Sequence, residues 1–240
     1  LNWQRTRVVE ILTDAPRVHS LVLDAPDWPG HLAGQHVDVR LTAEDGYEAQ
    51  RSYSIASAPE DPHLVLTVER LPDGEVSPYL VDDLHPGDDL ELRGPIGEYF
   101  VWQESLGGPL VLIAGGSGVV PFRSMLRHHA AVRSAIPARL LYSARSLADV
   151  IYRSELERLT DGSTVDVRLT LTREWPDGWT GDHRRIDRSM LEEVAGPATS
   201  RPFIYICGPN ALVETAASIL VELGHDPLRI RTERFGPTGS

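Results

Sequence analysis

The 240-residue chain carries 23 cationic and 35 acidic side chains, a formal net charge of −12, which argues against nonspecific binding to nucleic acid or anionic membranes. Its single cysteine, Cys207, excludes an intrachain disulfide framework and any iron–sulfur cluster held by four of its own thiolates. Every cation is arginine, so a lysine Schiff base and a P-loop lysine are both excluded.

A hydrophobic content of 41% fits one large or two ordinary globular domains with sizeable cores. No apolar run approaches the roughly 20 residues that span a bilayer, and no signal-peptide pattern opens the chain. The expectation is a cytoplasmic protein, and the missing initiator Met implies that residue 1 is not the native start.

From Arg5 to about Val101 short alternating runs are broken by turn residues. Strands are predicted over Arg7–Leu12, Val18–Leu23, His36–Leu41, Ser52–Ala56, Leu64–Arg70 and Asp89–Leu92. The turns between them fall at Asp14-Ala15-Pro16, Glu44-Asp45-Gly46, Pro72-Asp73-Gly74 and similar clusters. Six such strands predict a small closed antiparallel barrel, an arrangement that removes exposed edges. One short helix interrupts them at Ser77–Leu84, with Ser77 as N-cap and Pro78 at the first helical position. It either plugs one barrel end or offers an anion site.

In Arg51-Ser52-Tyr53-Ser54, alternation puts Arg51 and Tyr53 on one strand face. The pair is either an ordinary cross-strand surface contact or a phosphate ligand beside a stacking platform.

After Gly107-Gly108-Pro109, a plausible linker, the rhythm changes. Apolar runs at Leu110–Ala114, Ala138–Tyr142, Val165–Leu171, Phe203–Cys207 and Leu228–Arg231 alternate with helical patterns at Pro121–Arg133, Tyr152–Leu159, Asp187–Val194 and Asn210–Leu223. That alternation predicts βαβ units and a Rossmann-like parallel sheet, whose ligands lie beyond the carboxyl ends of the strands. The expected boundaries are 1–106 for the β-barrel domain and 107–240 for the α/β domain.

Gly115-Gly116-Ser117-Gly118-Val119-Val120-Pro121 joins the first of these strands to a helix. Glycines there let backbone approach a pyrophosphate, which the helix N-terminus then favours. Pro121 replaces the third glycine of an ordinary dehydrogenase fingerprint. The next strand ends in Tyr142-Ser143-Ala144-Arg145, with no acid for a ribose 2′-hydroxyl. Ser143 and Arg145, helped by Arg153 and Arg173, suit a 2′-phosphate, which favours NADP(H) over NAD(H). The loop Arg173–Trp179 is either packing or an edge for an adenine. Two arginine groups, Arg184 with Arg185 and Arg188, and Arg229 with Arg231 and Arg234, are candidate docking patches for an acidic partner. The nine histidines show no metal-ligand spacing, and no metal site is expected.

Taken together, these motifs resemble the ferredoxin–NADP reductase superfamily of flavoproteins, in order and over nearly the whole chain. Arg51-Ser52-Tyr53-Ser54 is similar to its Arg-x-Tyr-Ser flavin motif, and Gly74-Glu75-Val76-Ser77 to its flavin pyrophosphate loop. Gly94-Pro95-x-Gly97 resembles a turn closing the barrel. Gly116-Ser117-Gly118-Val119-Val120-Pro121 is similar to its nicotinamide-nucleotide loop, and Cys207-Gly208-Pro209 to its Cys-Gly-Pro turn.

The resemblance implies roles. Arg51 would bind flavin phosphate with Ser52 beside it, Tyr53 would stack on the isoalloxazine, and Ser54 would hydrogen-bond near N5. Val68, Gly74, Val76 and Ser77 would complete the flavin site. Gly116, Ser117, Gly118 and Pro121 would cradle the nucleotide, with Cys207, Gly208 and Pro209 beside the nicotinamide. Glu233 and Phe235 resemble the Glu-x-Phe segment closing over the flavin, so Ser54, Cys207 and Glu233 would stand at the reacting atoms. The chain runs on through Gly236-Pro237-Thr238-Gly239-Ser240, where plant-type members end on an aromatic.

The implied activity is hydride transfer from NAD(P)H to bound FAD, less readily FMN, with the rings roughly 3–3.5 Å apart. Electrons would then pass to a separate partner such as a ferredoxin or an oxygenase component, from a monomer without fused iron–sulfur or haem domain. Two alternatives stay open: a diaphorase or free-flavin reductase, and a non-enzymatic regulatory subunit that binds flavin or nucleotide.

Overall fold

The computed structural model describes residues 2–159 and 164–235. Packing divides the chain into two units, Leu1–Gln103 with Val120–Val132, and Glu104–Val119 with Arg133–Ser240.

The first unit is built on six strands, β1 (Gln4–Ala15), β2 (Val18–Asp24), β3 (His36–Thr42), β4 (Glu48–Ser54), β5 (Leu64–Glu69) and β6 (Asp89–Ile96). They pair antiparallel in the order β4-β3-β6-β1-β2-β5. The two edge strands are joined past the end of β4, where Ile55 bridges Leu66 and the Ala56 N–H donates to the Val65 carbonyl at 2.8 Å. That bridging brings the two edge strands together and gives the sheet a barrel-like form. Leu21, Leu23, Val37, Val39, Ile55, Leu66, Val68 and Leu92 are fully buried inside it.

Two expectations are corrected here. The fourth strand starts at Glu48 rather than Ser52, because it is one arm of a hairpin with β3, closed by Ala43 N–H to the Tyr47 carbonyl at 2.8 Å. Pairing with β3, not apolar alternation, makes Glu48–Ser52 a strand. The short helix after Gly74 is a five-residue π-helical turn, Tyr79–Asp83, and Ser77 does not cap it. The Ser77 hydroxyl instead accepts from the Leu71 N–H at 3.0 Å, pinning the preceding loop.

The helix after the glycine turn, α1 (Val120–Ala131), belongs to this first unit. Ser124 donates to the Ser57 carbonyl at 2.7 Å, Arg127 grips Asp61 through two bonds of 2.7 and 2.6 Å, and the Phe122 ring stacks on Phe100.

The second unit holds five parallel strands, β7 (Leu110–Gly115), β8 (Ala138–Ala144), β9 (Val165–Leu171), β10 (Phe203–Pro209) and β11 (Ile230–Phe235), in the order β11-β10-β7-β8-β9. Its helices are α2 (Arg153–Leu159), α3 (Arg188–Ala195) and α4 (Asn210–Glu222). From β7 the chain proceeds outward through β8 and β9, then returns to the other side of β7 with β10. The topological switch point therefore lies between β7 and β10, where sheets of this kind bind ligands. Val111, Ile113, Ile204 and Ile206 pack with Met190, Leu191 and Val194 of α3 and Val213, Ala216 and Leu220 of α4.

Here too boundaries move. The helix expected from Tyr152 starts at Arg153, because Tyr152 has φ +60° and cannot be helical. The last strand begins at Ile230 rather than Leu228. Asp226 accepts from the Leu228 N–H at 3.0 Å and winds Pro227–Arg229 into a 3₁₀ turn, leaving Leu228 87% exposed. Among the described residues no helix is long and apolar enough to cross a membrane.

Candidate functional site

The barrel unit joins the strand Arg51–Ser54 to the loop Gly74–Ser77. Arg51 makes a charge-assisted hydrogen bond to Glu75, and the Tyr47 hydroxyl donates to the same carboxylate at 2.9 Å. Gly74 is required by crowding: a Cβ there would lie 2.7 Å from the Ser77 Oγ. The Ser77 hydroxyl uses its oxygen on the Leu71 N–H, so its own proton is available for an acceptor such as a phosphate oxygen.

Tyr53 is half-buried against the barrel core, and burial raises its phenol above its ordinary value, so it stays neutral. A flat, neutral ring at the barrel wall suits stacking. Ser54, only 5% exposed, faces His36 in the β3–β4 register, and its hydroxyl has no partner among the described residues. The Ser54 oxygen still reaches solvent, so it is open to a partner that a ligand would bring. Both observations fit a flavin ring carried on this strand.

Other expected flavin residues do different work. Ser52 donates to Asp38 at 2.7 Å, and Asp38 also takes a 2.7 Å bond from Arg93, so Ser52 stabilises the β4-β3-β6 wall. Val68 and Val76 are fully buried core residues.

In the second unit the switch point is tightly interlocked. Gly116 has φ +55°, and Gly116–Val119 forms a 3₁₀ turn leading into α1. A Cβ on Gly118 would lie 2.0 Å from the Cys207 carbonyl oxygen and 2.8 Å from the Gly208 nitrogen. One on Gly208 would meet Gly115 backbone at 3.1 Å. The two strand-to-helix turns can touch only as bare backbone, which leaves N–H groups facing outward at the carboxyl edge. Pro121 is buried in the first turn of α1, where a missing N–H costs nothing.

Strand register carries the remaining residues to this edge. Ser143 lies opposite Gly115, Cys207 opposite Glu233, and Pro209 opposite Phe235. Arg145 and Arg173 are drawn together because the Arg173 N–H donates to the Arg145 carbonyl at 2.9 Å. Both are exposed, and among the described residues neither has an acidic partner. The Ser117 and Ser143 hydroxyls likewise lack a partner among the described residues. Arg153 is engaged within its own helix by Glu157 at 2.8 Å.

Cys207 is fully buried, and burial together with the Glu233 carboxylate pushes its thiol well above the ordinary value. Burial alone raises Glu233 to about 7. The pair is thus a neutral thiol beside an acid poised to hold or release a proton near neutrality.

The aromatic loop packs on the residues that follow it, with the Trp175 ring tilted at 40° against His183 and the Trp179 indole N–H on the Asp182 carbonyl at 3.0 Å. The candidate patches are largely neutralised: Arg184 binds Asp182 and Asp187, Arg188 binds Glu222, and Arg234 binds Glu214. Arg229 lies over the Phe203 ring. Gly236–Ser240 lie outside the described residues. Glu75, which received no role from the sequence, is the addition; an acid inside a presumptive phosphate loop was the signal.

The barrel and the parallel sheet with its glycine-lined switch point each match a cofactor-binding domain of oxidoreductases. The oxidoreductase FAD-binding domain model matches residues 8–101, and the oxidoreductase NAD-binding domain model residues 112–218. The chain is 35% identical over 238 residues to ferredoxin–NADP reductase B of Sorangium cellulosum, covering 95% of this chain and 96% of that one. It therefore belongs to the ferredoxin–NADP reductase family.

It is also 32% identical over 242 residues to the glycine betaine monooxygenase reductase subunit of Chromohalobacter salexigens, covering 99% of this chain but only 64% of that relative's length. The FAD/NAD-binding domain of nitric oxide dioxygenase from Vibrio cholerae superposes with a TM-score of 0.86 at 26% identity, over 98% of this chain and 99% of that one.

Proposed function

We propose that the chain takes a hydride from NADPH into FAD and passes the electrons to a separate protein acceptor, such as a ferredoxin or an oxygenase component. The observation that carries this is the coexistence, in one chain, of a barrel strand bearing Arg51, Tyr53 and Ser54 and a bare-backbone glycine edge, in spans each matched by its own cofactor-domain model. Bound flavin supplies the conversion of a two-electron hydride donor into single-electron delivery.

The residues divide that work. Arg51 and the Ser77 hydroxyl hold flavin phosphates, Tyr53 orients the ring, and Ser54 hydrogen-bonds at its polar edge. Gly116, Ser117 and Gly118 receive the nucleotide pyrophosphate. Cys207, a buried neutral thiol, backs the β10 turn beside the nicotinamide, while Glu233 holds or yields a proton. Domain boundaries of 1–106 and 107–240 follow from this division of cofactors. FAD is preferred over FMN because the matched domain model is that of an oxidoreductase FAD-binding domain.

The preference for NADPH rests on Ser143, Arg145 and Arg173 at the strand ends, and on the lack of an acidic residue in Tyr142-Ser143-Ala144-Arg145 itself. Replacing Arg145 with alanine should weaken NADPH about 5- to 20-fold, the loss of one charge-assisted contact to phosphate, and leave NADH nearly unchanged. Equal effects on the two nucleotides in binding titrations would remove the 2′-phosphate assignment.

A further inference from the structure

Glu75 stands on the group that the proposed function assigns to flavin phosphate. Its Oε2 accepts from Arg51 Nη2, and its Oε1 accepts from the Tyr47 hydroxyl at 2.9 Å. The other terminal nitrogen of Arg51 donates to the Gln50 carbonyl at 2.7 Å. Each terminal nitrogen thus spends one of its two N–H groups inside the chain. The Glu75 carboxylate carries the same sign of charge as a phosphate and occupies the Arg51 nitrogen that the two anions would share, so it opposes a phosphate at Arg51. Three separate stretches converge here: the β3–β4 turn brings Tyr47, β4 brings Arg51, and the loop before the π-helical turn brings Glu75.

We propose that Glu75 is an exchangeable counter-ion: a flavin carrying phosphate binds by displacing the Glu75 carboxylate from Arg51. The inference rests on the reading of Arg51 as a flavin-phosphate ligand. Three features make the exchange feasible. The side chains of Arg51 and Glu75 are 53% and 49% exposed, and an ion pair so exposed contributes little, so a phosphate can replace it. The displaced carboxylate keeps the Tyr47 hydroxyl, so it has a place to rest. The Leu71 N–H on the Ser77 hydroxyl at 3.0 Å and the Gly74 N–H on the Leu71 carbonyl at 3.1 Å pin the loop that presents Glu75, so the carboxylate moves by side-chain rotation rather than loop rearrangement. The consequence is a barrel that holds phosphate-bearing flavins less tightly than Arg51 alone would allow. If Glu75 were instead a support that orients Arg51 toward phosphate, its removal would act in the opposite direction.

The test is a flavin titration of the full chain after its flavin is stripped, following quenching of flavin fluorescence with FAD, FMN and riboflavin. Glu75→Gln should tighten FAD and FMN about 3- to 10-fold at low salt and leave riboflavin, which has no phosphate, unchanged. The gain should shrink in high salt, because screening already loosens the pair in the wild type. Binding of FAD that is unchanged or weaker in Glu75→Gln, or a gain shared by riboflavin, would overturn the proposal. Arg51→Gln separates this from the underlying reading. If it costs FAD no more affinity than riboflavin, Arg51 is not a phosphate ligand, and both the assignment and the exchange fall.

Discussion

Cys207 and Glu233 are the residues where burial decides chemistry. Neither forms an ion pair among the described residues; burial raises both, and the Glu233 carboxylate raises the Cys207 thiol further. For Glu233 the folded value of about 7 lies above its ordinary 4.5. A raised acid binds its proton more tightly when folded, so its contribution is fully present below about pH 4.5 and is lost as pH rises through about 7. Thermal melts of the flavin-free protein should show Glu233→Gln matching the wild type at the acid end and becoming progressively more stable than it toward neutral and alkaline pH. A difference that does not vary with pH would contradict this. At this scale the sequence was partly legible. Arg51, Tyr53 and Ser54 stand together because strand periodicity is local. The engagement of Ser52 with Asp38, and of Arg51 with Glu75, was not legible, since each depends on a partner 14 or 24 residues away.

At the scale of elements, the switch point is the most constrained feature. Gly118 sits against the Cys207 carbonyl so closely that any side chain must push the 3₁₀ turn off β10. Gly118→Ala should cost about 1–3 kcal/mol of stability, as overpacking does, and weaken nucleotide binding with it. Unaltered melting and unaltered NADPH affinity would show that the turn yields more easily than its geometry implies. The glycine run announced this turn because it stands between an apolar strand and a helical period. By contrast β4 could not be placed from its own residues: Ala49 is the only apolar residue in Glu48–Ser52, and hairpin pairing with β3 overrides the polar pattern. β11 was misplaced for a related reason. Leu228 reads as the start of an apolar run, but the Asp226-Pro227 turn leaves it in solvent.

At the scale of the whole chain, two architectures in one sequence were legible from the change of period near Gly107, and the five-motif order pointed to the family. What composition could not reveal is that α1, which follows the nucleotide turn directly, bonds into the barrel unit through Ser124 and Arg127. Those bonds run to Ser57 and Asp61, more than 60 residues earlier, and no local pattern encodes them. The acidic balance of −12 leaves few free cations. Several of the arginines on the second unit are paired with carboxylates, so the proposed nucleotide site would rely on backbone amides and on guanidinium groups such as Arg145 and Arg173, which have no acidic partner among the described residues.

The central claim is that one chain holds a flavin and a pyridine nucleotide and moves a hydride between them. Anaerobic titration of the FAD-loaded protein with NADPH and, separately, NADH, followed by flavin absorbance, tests it most directly. The account predicts that one equivalent of NADPH bleaches the flavin band rapidly, with NADH acting only at higher concentration. A protein that takes up no flavin, or whose bound flavin keeps its oxidised spectrum under excess NADPH and NADH, would contradict it.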